Sequence, residues 1–215
     1  MGKNMFVMGD SYSTYAGYIP EGYAPYYGDT MPKGWEIESV DDTWWRQVAK
    51  KQGYNILLND SWSGSTVCNS LRPTDPKEYT FVRRIDKYIS EGFFEKNEVD
   101  TFFIFGLTND SWRNCPIGET KYDEKTEKDL DYALAAYCYL VERIKSQKNI
   151  KRIVAIINDE LKPEITDGTI ALCKHYEIEY VMLHDLAKVQ GHPNKLGMAQ
   201  IAEQICEILN GEVYN

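Results

Sequence analysis

The chain has 215 residues, of which 43% are apolar, enough for a globular domain to bury a full core. Its formal net charge is −9 and its isoelectric point is about 4.9, which argues against nucleic acid or an anionic membrane as the main partner, because both attract basic patches. No apolar run reaches the roughly 18 residues of a membrane span, and we expect one domain over 1–215.

Five short apolar runs along the chain predict β-strands. Each is dominated by apolar residues instead of alternating strictly, as in strands that are covered on both faces. The predicted strands are 5–8, 56–58, 101–105, 153–157 and 180–183. Between them, apolar residues recur at helical spacing, which predicts helices over 43–51, 79–89, 127–145, 163–176 and 195–209. Strands that alternate with helices predict an α/β fold with a largely parallel sheet, whose carboxyl edge is the usual place for ligands.

The connection over 12–42 is a long irregular segment that is rich in aromatic residues. A loop of about thirty residues is unusual in a compact domain and indicates a role in binding. Aromatic rings can lie flat against a sugar while their polar tips form hydrogen bonds. We therefore predict four substrate-binding residues, two from this loop and two from later loops: Tyr12, Tyr15, Trp62 and Trp112. Packing of the long loop remains the alternative role for its tyrosines.

A serine and a histidine stand at positions that suit a nucleophile and its base. Ser11 follows the first predicted strand in the segment Gly9-Asp10-Ser11, where glycine permits a tight turn. His192 lies in a predicted loop just ahead of the last helix. A serine hydroxyl needs an adjacent base to become nucleophilic, and a neutral imidazole suits that work. We predict Ser11 as the nucleophile and His192 as the general base.

Gly64 and Asn109 are the predicted donors of an oxyanion hole. Gly64 follows the second strand and Asn109 follows the third, so both are expected at the carboxyl edge of the sheet. Glycine lets a substrate approach a backbone N–H, and an asparagine amide donates without carrying charge. Each such donor stabilises a developing oxyanion by ~2.7–4 kcal/mol. An ordinary structural role stays open for both, as a turn glycine and as a helix cap or Asx turn.

Taken together, these segments resemble the sequence blocks of the SGNH (GDSL-type) hydrolase family, which are Gly-Asp-Ser, Gly, Gly-x-Asn-Asp and Asp-x-x-His. The third block has one extra residue here and reads Gly106-x-x-Asn109-Asp110. The resemblance runs from Ser11 to His192 in the family's order. It implies a flavodoxin-like three-layer α/β/α sandwich around a five-stranded parallel sheet, and esterase or lipase chemistry without a metal or other cofactor. It also implies that the Ser11 N–H joins Gly64 and Asn109 in the oxyanion hole.

The last block departs from the family pattern. The family places an aspartate three residues before the histidine, and Val189 stands there in this chain. The carboxylate nearby is Asp185, seven residues before His192. Two arrangements remain open. In one, a backbone carbonyl orients His192 and leaves a Ser–His dyad, which we favour; in the other, Asp185 reaches the ring.

The sequence therefore predicts a serine esterase that forms an acyl-enzyme on Ser11 and hydrolyses a small acyl ester, with an acetyl group on a carbohydrate as the expected case. The alternative is a catalytically weakened member of the same fold that only binds a glycan, with Val189 as the sign of that loss. A phosphate- or nucleotide-binding protein is disfavoured, because the segment after the first strand lacks a glycine-rich cradle.

The cysteines and the first residues of the chain indicate the cellular compartment in which we expect the protein. The five cysteines have wide spacings and no Cys-x-x-Cys pair, which indicates neither a zinc site nor a disulfide framework and favours a reducing compartment. The first strand begins about four residues into the chain and leaves no room for a signal peptide. We expect a cytoplasmic protein, with a removed leader as the alternative; the sequence does not predict the oligomeric state.

Overall fold

The computed structural model describes residues 2–70 and 72–211, and its centre is a sheet of five parallel strands. The strands are β1 Lys3–Gly9, β2 Tyr54–Ser61, β3 Thr101–Phe105, β4 Ile153–Ile157 and β5 Glu179–Met182. Their order across the sheet is β2-β1-β3-β4-β5, so the direction of winding reverses at β1. Ligands of open α/β sheets bind outside the carboxyl ends of the strands at such a reversal.

Helices and turns connect these strands. The α-helices are α1 Trp44–Gln52, α2 Phe81–Ser90, α3 Phe93–Lys96, α4 Thr108–Trp112, α5 Ala133–Lys145, α6 Pro163–His175 and α7 Lys195–Leu209. Short 3₁₀ helices cover Ser11–Ser13, Val40–Asp42, Lys77–Tyr79 and Glu127–Asp131. A small antiparallel hairpin, separate from the main sheet, consists of β6 Lys188–Val189 and β7 His192–Pro193.

Two apolar clusters, one on each face of the sheet, form the core. Helices α2, α5 and α6 pack on one face, and α1 and α7 pack on the other. Side chains alternate along β1, where Phe6 and Met8 belong to the first cluster. Met5 and Val7 belong to the second. All four side chains are fully buried, as expected for a strand covered on both faces. The predicted three-layer sandwich with a five-stranded parallel sheet is confirmed.

The predicted elements are present, with shifted ends and several additions. The helix predicted over 127–145 is divided into the 3₁₀ helix Glu127–Asp131 and α5, with Tyr132 in extended conformation between them. The sequence did not predict α3, α4 or the β6–β7 hairpin. None of these elements exceeds five residues, which is too short for a periodic apolar pattern to show.

The long aromatic segment lies against the second apolar cluster. Tyr15, Tyr27 and Trp35 are buried within that cluster, and the Ala16 N–H donates to the Tyr27 carbonyl at 2.9 Å. The segment is thus an ordered wall of the molecule. The five cysteines are buried free thiols. Of the helices in residues 2–70 and 72–211, none combines the length and the hydropathy that a membrane crossing requires.

Candidate active site

The candidate nucleophile opens the 3₁₀ helix that directly follows β1. Asp10 caps this helix, because its carboxylate accepts the Tyr12 N–H at 3.0 Å. Ser11 is 3% exposed and follows the carboxyl end of β1. Ser13, the other serine of the helix, is fully buried and accepts the Trp44 Nε1–H at 3.1 Å. Ser11 is therefore the serine of this turn that can meet a ligand.

His192 and Ser11 are in contact, although 181 positions separate them in the chain. His192 Nε2 lies 2.9 Å from Ser11 Oγ, a normal hydrogen-bond distance. The other ring nitrogen, Nδ1, lies 3.4 Å from the Gln190 carbonyl oxygen. An acceptor beside Nδ1 favours the tautomer that carries its proton there, which leaves the Nε2 lone pair facing Ser11. The pair has the geometry of a nucleophile and its general base.

The imidazole is carried by the β6–β7 hairpin, not by the loop that the sequence predicted. Gln190 and Gly191 form the two-residue turn of this hairpin, with φ angles of 49° and 80°. Positive φ at both positions is typical of the type I′ turn that joins tight hairpins. The Tyr12 hydroxyl donates to the Gly191 carbonyl. The Tyr27 hydroxyl donates to the Pro193 carbonyl at 2.8 Å, so two buried tyrosines hold the hairpin in place.

The less favoured arrangement, in which Asp185 reaches the His192 ring, is not the one in the structure. The Asp185 carboxylate lies 3.0 Å from Nδ1 of the neighbouring His184, and its side chain is 93% exposed. In the described part of the chain, the hydrogen-bond acceptor that faces His192 Nδ1 is the Gln190 carbonyl, as in the dyad alternative. Val189 pairs directly opposite His192 in the hairpin, so the position of the family's aspartate is adjacent but apolar.

Four aromatic rings surround the imidazole of His192. Tyr26 is stacked on it, with ring centroids 3.7 Å apart and planes 7° from parallel. The other three rings lie at wider angles with centroids 5.2 to 6.2 Å away, and they belong to Tyr12, Trp112 and Trp35. Burial lowers the pKa of His192 to about 4, and the positive charge of Lys188 contributes in the same direction. The ring is therefore neutral at physiological pH.

Gly64 and Asn109 lie on segments that hydrogen-bond to each other. Gly64 has φ of 82°, a conformation that favours glycine, and its N–H has no acceptor among the residues that the structure describes. The Asn109 amide nitrogen donates to the Ser65 carbonyl at 2.9 Å, and its second N–H remains for a ligand. Asn109 lies in the first turn of α4, where the sequence had left a cap or loop role open.

Asp110 fastens the loop that carries Gly64. It is fully buried, and its two oxygens accept the Val67 N–H at 2.8 Å and the Cys68 N–H at 3.1 Å. Burial raises the pKa of Asp110, and these two donors oppose that rise. Because Asp110 directly follows Asn109, one short helix both presents an amide and fixes the facing loop.

A buried arginine that the sequence did not single out holds the strand ends behind the site. Arg84 is 1% exposed, and its Nη1 lies 2.6 Å from the carboxylate of the equally buried Asp60. The same guanidinium donates to the Gly9 carbonyl and to the Ser65 hydroxyl, both at 3.2 Å. It therefore joins β1, β2 and the loop of the candidate oxyanion donor. An arginine within an amphipathic helix pattern gives no signal of such burial, because this residue type is mostly exposed.

Arg113 connects the two segments that carry the candidate donors. Its backbone N–H donates to the Asn109 carbonyl at 2.9 Å, at the end of α4. Its guanidinium donates to the Gly64 carbonyl at 3.0 Å and also contacts Asp75 and Tyr79. The sequence carries no signal for the role of Arg113, because its partners come from loops that are distant in the chain.

A cavity of about 620 Å³ opens beside the candidate oxyanion donors. Gly64 and Asn109 line it together with aromatic and charged side chains, which include Trp62, Asp75, Tyr79, Trp112 and Arg113. The Trp62 ring is stacked on Tyr23, with centroids 4.1 Å apart. Of the four predicted substrate-binding residues, Trp62 and Trp112 thus lie where a ligand of the cavity would meet them.

The prediction that Tyr12 and Tyr15 bind substrate is wrong. Their side chains are 0% and 1% exposed. Their hydroxyls form hydrogen bonds within the protein: Tyr12 donates to the Gly191 carbonyl, and Tyr15 donates to the Asp29 carboxylate at 2.8 Å. Sequence alone does not show whether an aromatic residue of a long loop faces solvent or the core.

Cys68, Asp110 and Cys115 are the one group of potential metal ligands found in residues 2–70 and 72–211. Their ligand atoms lie within 4.8 Å of one another, and all three residues are buried. Three donors are one fewer than a structural zinc site uses. Both Asp110 oxygens already accept backbone N–H groups, so they are engaged within the protein.

Comparison with known proteins places these observations in a family. The family model for GDSL-like lipases and acylhydrolases matches residues 3–209. No curated protein matches the chain. Among solved structures, a provisionally assigned GDSL-like lipase from Bacteroides ovatus is 34% identical with a TM-score of 0.87, and covers 98% of this chain and 100% of its own.

Two further structures agree on the fold. A provisionally assigned GDSL-like lipase from Bacteroides uniformis is also 34% identical with a TM-score of 0.87, covering 98% of this chain and 97% of its own. A carbohydrate acetylesterase family member from Sinorhizobium meliloti is 10% identical with a TM-score of 0.57, covering 97% of this chain and 99% of its own. At that identity the likeness concerns the fold alone.

Proposed function

The chain belongs to the GDSL-like lipase/acylhydrolase family, and from that premise we propose that it is a serine esterase with Ser11 as nucleophile and His192 as general base. The observation that carries the proposal is the 2.9 Å distance between Ser11 Oγ and His192 Nε2. A serine hydroxyl becomes a nucleophile when a base accepts its proton, and the neutral imidazole is ready to do so.

In the first half of the reaction, Ser11 Oγ attacks the ester carbonyl while His192 Nε2 takes the hydroxyl proton. The carbonyl oxygen becomes an oxyanion, which the N–H groups of Ser11 and Gly64 and the Asn109 amide stabilise. Each donor contributes ~2.7–4 kcal/mol when it is aimed at the developing charge. The imidazolium then gives its proton to the leaving alcohol, and the acyl group remains on Ser11.

In the second half, a water molecule replaces the alcohol. His192 Nε2 takes a proton from this water as it attacks the acyl-enzyme, and the same donors hold the second oxyanion. The bond between the acyl carbon and Ser11 Oγ breaks, the proton returns to Oγ, and the free acid leaves. No metal is needed for any of these steps.

For the substrate we propose a small acyl ester, with acetyl first, on a carbohydrate alcohol. The cavity beside Gly64 and Asn109 supports this choice, because Trp62 and Trp112 line it and aromatic side chains can pack against a sugar ring. Asp75 at its wall is a carboxylate that would disfavour a long aliphatic chain there. A carbohydrate acetylesterase family member shares the fold.

The alternative function is a glycan-binding protein with weakened catalysis. The observation in its favour is Val189, which leaves His192 with a 3.4 Å contact to a carbonyl in place of a carboxylate. Such a protein would bind acetylated sugars in the same cavity and turn them over very slowly.

A kinetic comparison separates the two functions. We expect the native chain to hydrolyse p-nitrophenyl acetate, and Ser11→Ala and His192→Ala each to lose about 10³-fold or more in kcat, as for members of a nucleophile–base pair. Ser13→Ala is the matched control and should retain activity, because its hydroxyl is engaged with Trp44. Equal rates for native chain, Ser11→Ala and His192→Ala would reject the esterase.

The acyl preference needs a separate experiment. We expect kcat/KM to fall along the p-nitrophenyl series from acetate to butyrate to octanoate. Faster turnover of the long esters would reject the small-acyl proposal while leaving the serine mechanism intact.

A further inference from the structure

The base candidate lacks the carboxylate that usually supports a catalytic histidine. Val189 occupies the position of the family's aspartate, and Asp185 pairs with His184. The hydrogen bond that remains to His192 Nδ1 is long, at 3.4 Å. A histidine that accepts a proton from serine becomes an imidazolium, and a buried cation needs a compensating partner. The question is which group supplies that compensation.

Charged groups near the ring do not supply it. Lys188, on the strand before the hairpin turn, is a cation and opposes protonation of His192. Its ammonium pairs with Asp159 and lies 3.1 Å from the Glu160 carboxylate, so these two acids are already engaged. Asp10 lies beside Ser11 in sequence, but burial raises its pKa to about 7, which weakens it as an anion.

Of the four aromatic rings around His192, the ring of Tyr26 lies nearest to the imidazole. Its ring covers one face of His192 at a centroid distance of 3.7 Å and an interplanar angle of 7°. The face of a phenol ring carries negative charge density and attracts a cation that lies over it. The stack also limits rotation of the imidazole about its Cβ–Cγ bond, because such a rotation would tilt the ring out of the parallel contact.

The long aromatic segment holds Tyr26 itself in position. The Tyr26 N–H donates to Thr14 Oγ1 at 2.8 Å. Its ring packs edge-on against Tyr27 at 5.0 Å and Trp35 at 5.4 Å between centroids, and both of those rings are buried. The length and aromatic content of this segment therefore build a wall that presents one tyrosine face to one histidine.

We propose that Tyr26 is a positioning residue that does for His192 what a carboxylate does in a triad: its stacked ring fixes the imidazole against Ser11 and stabilises the imidazolium through its π face. The proposal rests on the serine esterase function. It assigns the aromatic segment a role in the proton-transfer step, where the sequence had suggested substrate binding.

The first test compares two substitutions at Tyr26 with p-nitrophenyl acetate as substrate. Tyr26→Ala should lower kcat about tenfold, the effect of a cation–π contact of moderate strength, with KM changed less than twofold. Tyr26→Phe keeps the ring and should stay within twofold of the native kcat. Tyr18→Ala is the matched control, because Tyr18 belongs to the same segment and is 51% exposed. A kcat for Tyr26→Ala within twofold of native would overturn the proposal.

The second test distinguishes positioning from a merely structural role. Val189 pairs directly opposite His192, so Val189→Asp restores a carboxylate beside the imidazole. In that background Tyr26→Ala should cost less than about threefold in kcat, since the carboxylate then supports the imidazolium. Val189→Asn is the uncharged control and should leave the tenfold loss in place. Equal losses in the native and Val189→Asp backgrounds would overturn the proposal.

Two further controls keep the outcomes separate. Thermal melting shows whether each variant folds, and Tyr26→Leu replaces Tyr26→Ala if the latter does not. An active Ser11→Ala variant would reject the esterase function itself. An inactive Ser11→Ala variant together with an unaffected Tyr26→Leu or Tyr26→Ala variant would reject only the role of Tyr26.

Discussion

Ser11, Gly64 and Asn109 follow strands of one parallel sheet, whereas His192 lies on a two-residue strand outside that sheet. The first three are held by backbone geometry that a buried sheet fixes, with Arg84 and its ion pair behind them. The histidine is held by side chains, namely the hydroxyls of two tyrosines on its hairpin and the aromatic rings around its imidazole.

We call the first set the sheet region (Ser11, Gly64 and Asn109) and the second the hairpin region (His192). The two regions fix their candidate catalytic groups by different means. The strand ends place a hydroxyl and amides through the backbone of the sheet, and the buried polar side chains of Arg84 and Asp110 fasten the loops that follow the strands. The hairpin has a ladder of only two residue pairs, separate from the main sheet, and its position depends on contacts with the aromatic segment. The hairpin region should therefore respond to changes of aromatic residues, and the sheet region to loss of buried polar anchors.

The largest expected effect is on the anchor of the sheet region. Arg84→Met removes one partner of an ion pair with 1% and 0% exposed side chains and leaves Asp60 as an uncompensated buried charge. We expect a loss of about 3–5 kcal/mol in the free energy of unfolding, measured by urea denaturation. Arg46→Met is the control: its pair with Asp41 is exposed, and its loss should cost less than about 1 kcal/mol. Equal costs for both would show that Arg84 is not an anchor.

The next largest effect is a fall in kcat, which we expect from a substitution in the sheet region. Asn109→Ala removes the proposed side-chain oxyanion donor and should lower kcat about 10²–10³-fold with a much smaller change in KM. Steady-state hydrolysis of p-nitrophenyl acetate measures both constants. Asn114→Ala, just beyond the same helix, is a control that removes an amide bonded to Lys162 at 2.8 Å and should leave kcat unchanged. A loss confined to KM would instead place Asn109 in ground-state binding.

The fold was largely predictable from the sequence, and the sheet region of the site with it. Strands such as Thr101–Phe105 consist mostly of apolar residues, and all five residues of this strand are buried, the pattern expected of a strand that is covered on both faces. Because parallel strands end at a common edge, residues that directly follow them must be neighbours, which is why Ser11, Gly64 and Asn109 could be named together.

The hairpin region was not predictable in the same way. Its strands are two residues long, and no periodic pattern marks them. Tyr12 and Tyr26 belong to the same aromatic segment, yet the first is buried with its hydroxyl on the Gly191 carbonyl and the second is stacked on the imidazole. Which tyrosine takes which place depends on tertiary packing, so the sequence suggested substrate contacts for residues that support the protein instead.

The smallest expected effect is the change of kcat/KM with pH, and measuring it tests the hairpin region. Because burial lowers the pKa of His192 to about 4, the imidazole of this proposed base stays neutral at pH values well below the usual pKa of histidine. We expect kcat/KM to change less than about twofold between pH 7 and pH 5 and to fall as His192 protonates near pH 4. Lys188, paired with Asp159 and Glu160, is the cation that also disfavours this protonation. An acid limb centred near 6.5 would show that the aromatic rings do not exclude water from the imidazole.

The central claim, that Ser11 is a nucleophile activated by contact with His192, is tested most directly by mapping a fluorophosphonate adduct by mass spectrometry. We predict one adduct per chain on Ser11, formed much more slowly in His192→Ala and absent from Ser11→Ala. A chain that hydrolyses esters but carries its adduct on Ser13 or another residue, or that labels Ser11 equally fast without the imidazole, would contradict the account.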